Sequence, residues 1–105
     1  MNRQSIRIAR ADDAFQEVTA DVWGEVAIHR TLSDEKDAKQ LPWTVTHVRT
    51  GYRIAAFRTE GRAQKLVSKL LELPIEMFQF HDVATSSERI KTISRVVQRF
   101  YQRAK

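Results

Sequence analysis

A chain of 105 residues with 42% hydrophobic and 30% charged content has the length of one ordinary domain, and a fold of this size buries roughly 60–70% of its unfolded surface. Cysteine is absent, which excludes a disulfide framework, a zinc ribbon and a thiol nucleophile. The formal charge of +5 is unevenly placed: residues 11–40 hold eight acids against three bases (net −5), residues 41–105 hold twelve bases against five acids (net +7), and Arg3, Arg7 and Arg10 lie in the first ten.

At the N-terminus, residues 1–10 lack the apolar run of roughly 7–15 residues that a signal peptide needs. No later stretch approaches the ~20 apolar residues of a membrane span, so a cytoplasmic protein with no membrane partner is expected. Ile6 and Ile8 alternate with Arg7, which predicts a short strand over 5–9. Val18, Ala20, Val22, Gly24, Val26 and Ile28 continue a period of two, with Gly24 as a bulge or bend and a second strand around 22–32. Residues 12–20 fit either state, because Phe15, Val18 and Val22 also match helical spacing and Asp12 could cap a helix. Polar residues 33–40 read as an exposed loop before Leu41 and Pro42.

A hairpin follows. If Thr50 and Gly51 form a two-residue turn, Arg49 faces Tyr52, and Trp43, Val45, His47, Tyr52, Ile54 and Ala56 share the core face. Thr44, Thr46, Val48, Arg53, Ala55 and Phe57 then form the reverse, where Val48 and Phe57 call for a cover; a longer turn would alter the pairing. Thr59 is a credible cap for a helix over 60–73, with Glu60 in its first turn and Pro74 beyond its end. Ala63, Leu66, Val67, Leu70 and Leu73 share one face of it, edged by Arg62, Lys65 and Lys69. The connector over 74–85 brings Met77, Phe78 and Phe80 as core filling, in a short helix or an extra strand. A last helix starts at a Ser86 or Ser87 cap, with Ile90, Ile93, Val97, Phe100 and Ala104 on one face, and Lys91, Arg95, Arg99 and Gln102, beside Arg103, on the other.

These elements predict one α+β domain over 1–105. A three- or four-stranded antiparallel sheet over about 5–58 packs against one helix, and a long amphipathic C-terminal helix over about 86–103 closes the core or builds a homodimer.

The segment Trp43-Thr-Val-Thr-His-Val-Arg-Thr-Gly-Tyr-Arg-Ile, followed by Phe57-Arg58-Thr59 and a helix, resembles a W-x-V-T-H-x-x-T-G pattern of small uncharacterised bacterial and phage proteins. That resemblance implies a bacterial or mobile-element origin and carries no activity with it. The strand–strand–helix order is also similar to the sheet-plus-helix modules of phage integrase arm-binding domains and plant ethylene-response-factor domains, whose DNA-reading arginines and tryptophans have no counterpart motif here. It resembles the end of a double-stranded-RNA-binding domain as well, but Gly61-Arg62-Ala63-Gln64-Lys65 stands where that family has Lys-Lys-x-Ala-Lys. These likenesses are of fold order alone.

For chemistry, His29, His47 and His81 are dispersed and share no metal-ligand spacing. No nucleophile elbow, phosphate-cradling glycine loop or carboxylate pair is present, so a non-enzymatic protein without cofactor or metal is expected. The leading expectation is nucleic-acid binding, to DNA before RNA, with Arg49, Arg53, Arg58, Arg62, Lys65, Lys69, Arg95 and Arg99 meeting phosphates. Basic residues that merely solvate helix faces are the plainer reading of the same pattern. The alternative function is a protein-interaction or inhibitor module that binds a protein partner through Val48 and Phe57 of the outer sheet face, or through Ile90 and Val97 of the last helix.

Overall fold

The computed structural model describes residues 2–9, 14–33 and 35–103, the side chains of Ala84 and Arg103 excepted. The proposed Asp12 cap, and Ala104 and the Arg103 side chain on the last helix, lie outside the described residues. The fold is α+β, with five antiparallel strands in sequential order: β1 (Asn2–Ala9), β2 (Phe15–Trp23), β3 (Val26–Arg30), β4 (Trp43–His47) and β5 (Arg53–Phe57). Two helices follow, α1 (Glu60–Leu70) and α2 (Ser87–Arg103). Among the described residues no helix is long and apolar enough to cross a membrane.

Five strands replace the expected three or four. The undecided stretch before Ala20 is strand from Phe15 onward, paired with β1 from Asn2↔Val22 to Ala9↔Phe15. Gly24 is neither a bulge nor a bend within one strand. It takes φ +60° in a two-residue turn between Trp23 and Val26, splitting the expected second strand into β2 and β3.

β2 pairs with β3 only over Asp21–Trp23, so the β1–β2 ribbon leaves the plane and swings across the sheet. The end of β1 then meets the β4–β5 turn, where the Ala9 N–H donates to the Gly51 carbonyl at 2.8 Å. This curl creates two cores. Ile6, Ile8, Ala20, Val22 and Ala27 are buried on the concave side, with Val18, Leu32 and Val48 packed against them. On the convex side Val26, Ile28, Val45, Ala55 and Phe57 meet Ala63, Leu66, Val67 and Leu70 of α1 and Ile93 of α2. The cover required by Val48 is thus the β1–β2 ribbon.

The β4–β5 connection is longer than a two-residue turn. His47 and Tyr52 close it, through His47 N–H to Tyr52 O (2.9 Å) and Gly51 N–H to His47 O (2.8 Å). Thr46 pairs with Arg53 but Val45 with Ala55, which leaves Ile54 as the extra residue of a bulge. The bulge reverses the expected facing of the strand end. Ala55 and Phe57 join the helix-side core instead of the outer face, and Phe57 is only 2% exposed.

Thr59 caps α1, its Oγ1 accepting from the Arg62 N–H at 3.3 Å. The helix ends at Leu70 rather than residue 73, in a turn that precedes Pro74. The connector forms two 3-10 turns, Ile75–Phe78 and Val83–Thr85, not a strand. Phe78 and Phe80 from this connector enter the convex core, and α2 lies over it with Ile90, Val96, Val97 and Phe100 half-buried. Gly61 sits exposed in the first turn of α1, with no other atom within 4 Å of where a Cβ would stand. Gly61→Ala is therefore expected to stabilise the protein by about 0.5–1 kcal/mol, seen as a higher thermal midpoint, by removing backbone freedom from the unfolded chain.

Candidate functional site

The sequence-derived bases separate into two groups. Arg53 is half-buried in a two-pronged pair with Asp37, one arm at 3.1 Å, and lies 3.7 Å from Glu35. The hydrogen bond from Arg53 holds the Asp37 carboxyl below the usual carboxylate range, and the same bond raises Arg53. The 33–40 loop is thus not simply exposed, because Glu35 and Asp37 are half-buried against β5. Arg49 pairs with Glu25 of the β2–β3 turn and donates to His81 Nε2 at 3.2 Å. Both arginines are thus engaged by acids of the same chain.

The second group lines α1 and α2. Arg62 and Lys69 are seven residues apart on one face of α1, with Lys65 exposed between them. Arg58 and Arg62 share a cavity of about 350 Å³ with Leu41, Thr59 and Tyr101. Lys69 from α1 and Arg99 from α2 line a second cleft, of about 330 Å³, with Glu72, Leu73, Val96 and Phe100. The Arg62 guanidinium lies 5.9 Å from the centroid of Phe100, between the two cavities. Arg95 is exposed one turn before Arg99. Among the described residues Arg58, Lys65, Arg95 and Arg99 make no ion pair, while Lys69 lies 3.6 Å from Glu72 with both side chains well exposed.

Aromatic packing holds this seam in place. Phe57 of β5 meets Phe100 edge-on at 5.5 Å and Tyr101 at 5.3 Å, and the Tyr101 hydroxyl donates to the Ala56 carbonyl at 2.9 Å. The residues considered for a protein partner are occupied within the chain. Phe57 is buried, and Val48, Ile90 and Val97 are half-buried against the two cores.

The histidines do structural work. His29 is buried on the concave side, where Nδ1–H donates to the Arg30 carbonyl at 2.8 Å and Nε2 accepts from the Thr46 hydroxyl at 2.7 Å. His47, fully buried on the convex side, donates from Nε2–H to the Phe78 carbonyl at 2.7 Å and accepts the Thr50 hydroxyl at Nδ1, 2.8 Å. Burial pushes both imidazoles below their usual 6.5. Among the described residues no group of three or more His, Asp or Glu side chains is placed to hold a metal ion.

Comparison of the chain with protein-family models, with curated proteins and with solved structures found no match.

Sequence reasoning finds the basic edges of both helices, since a 3.6-residue wheel displays them. It misses Glu72, Leu73 and Val96 as cleft residues. The only local signal is that Val96 precedes the Arg99–Phe100 pair by about one turn, and the facing wall follows from how α2 crosses α1.

Proposed function

We propose that this is a small basic, non-enzymatic nucleic-acid-binding protein of the cytoplasm whose contact face is the α1–α2 seam rather than the hairpin. The observation that supports it best is the gathering of Arg58, Arg62, Lys69 and Arg99 on two adjoining cavities, flanked by the exposed Lys65 and Arg95. Four bases on the two cavities, with Glu72 as the acid lining one of them, make a field suited to phosphates. Arg53 takes no part because Asp37 neutralises it, and Arg49 is held by Glu25.

The test is fluorescence anisotropy with labelled duplex DNA, duplex RNA and single-stranded DNA across a salt series. If about four phosphates are neutralised, the log–log salt slope on duplex DNA is near −3.6. Charge reversal of Arg62, Lys69 and Arg99 together is expected to weaken binding at least tenfold and to flatten the slope by about one for each contact removed. Arg49→Gln leaves both unchanged. A flat salt response in the unaltered protein overturns the reading.

A further inference from the structure

We propose that the cleft between α1 and α2 seats one unpaired base of a single-stranded nucleic acid, whose flanking phosphates meet Lys69 and Arg99. This inference rests on the nucleic-acid reading and deepens it. The cleft measures about 330 Å³, within the roughly 300–1,000 Å³ range of small-molecule sites. Its walls are of two kinds. Leu73, Val96 and Phe100 are half-buried and apolar, so they favour a flat, weakly polar group over a hydrated ion. Lys69 and Arg99 carry exposed cations at the same opening. The complement to that pattern is an uncharged ring with an anion on either side, which describes a nucleotide within a strand.

Two further features select this occupant. Glu72 also lines the cleft, so a carboxylate-headed ligand would place like charges together. A nucleobase has no such conflict, and its amino group can donate to the Glu72 carboxylate. The positive field also continues past the cleft, to Arg62 above Phe100, roughly 10 Å along the α1 axis from Lys69, and on to Arg58 before the helix begins. A strand has room to run along it. In a duplex the bases stay stacked and only phosphates reach the opening, so filling the cleft requires an unpaired base.

The experiment compares oligonucleotides of one length at one salt concentration: an ordinary single strand, the same strand made abasic throughout, and a duplex. The ordinary strand is expected to bind about tenfold or more tightly than the abasic strand, the scale of one base stacking in an apolar site. Val96→Trp fills the cleft without changing charge and is expected to erase that difference, while abasic affinity and salt slope stay as they are. Leu73→Trp does the same from the facing wall and guards against loss of folding in the first variant, with circular dichroism reporting the fold of both. Equal affinity for ordinary and abasic strands, with salt dependence retained, overturns the cleft and leaves the phosphate face standing. Absence of salt-dependent binding to all three probes overturns both.

Discussion

Gly51→Ala is expected to destabilise the protein by about 3 kcal/mol or more, against about 1 kcal/mol for Gly24→Ala. Both glycines have positive φ, +73° and +60°, so both substitutions incur the left-handed penalty. Only Gly51 is crowded. A Cβ there would stand 2.7 Å from the Arg7 carbonyl oxygen, 3.0 Å from the Ala9 nitrogen and 3.1 Å from the Ile8 Cα, all backbone atoms of β1, whereas Gly24 has nothing within 4 Å. Backbone cannot rotate away as a side-chain tip can, so β1 must move off the turn. That breaks the Ala9–Gly51 hydrogen bond, worth about 1 kcal/mol, and partly exposes Ile6 and Ile8, at about 1 kcal/mol or more between them. Urea unfolding of the two variants side by side measures the difference, and faster amide exchange in β1 of the Gly51 variant locates it. Equal midpoints for the two variants would mean that the turn does not hold β1.

The same contact explains much of what is and is not legible in this sequence. β1, α1 and α2 can be read locally because each buries one face, and Ile6/Ile8 and Ala63/Leu66/Val67/Leu70 show the resulting periods; β4 is buried on both faces, but its threonines Thr44 and Thr46 alternate with Trp43, Val45 and His47 and so keep a period of two visible. β3 is buried on both faces, with Val26 and Ile28 toward the helices and Ala27 and His29 toward the ribbon, so its sequence does not mark where the strand begins or ends. The number of strands depends on Gly24 turning the chain, which a period-two pattern running straight through it conceals. The Ile54 bulge is equally hidden, because Tyr52, Ile54, Ala55 and Phe57 all pack toward the same core and no strict alternation satisfies that. For the candidate site, the helix edges are local features but the sorting of the arginines is not. Arg53 meets Asp37 sixteen residues away and Arg49 meets Glu25 twenty-four away, and those pairs remove the hairpin from the proposed face.

His47→Ala is expected to cost about 3–5 kcal/mol, the range for emptying a large core position while orphaning hydrogen-bond partners. The His47 ring stacks on Phe80 with centroids 4.2 Å apart and planes 15° from parallel, and its nitrogens engage the Phe78 carbonyl and the Thr50 hydroxyl. It is the peg that ties β4 to the connector between α1 and α2, so its loss loosens the seam as well as the core. The Nδ1 acceptor role requires the neutral ring, and burial lowers the pKa below 6.5. Below that value the unfolded chain takes up a proton that the folded protein refuses. Stability is therefore complete above about pH 6.5 and falls as the pH drops, with a slope of at most about 1.4 kcal/mol per pH unit for each histidine. His29, lowered by burial in the same direction, adds to that slope. Urea unfolding between pH 7.5 and 5, above the range where most carboxylates titrate, isolates the effect. His47→Gln is expected to start less stable at pH 7.5 and to show a shallower decline, because one of the two titrating rings is gone. An unchanged slope in that variant would assign the acid sensitivity to His29 alone and leave His47 with a packing role only.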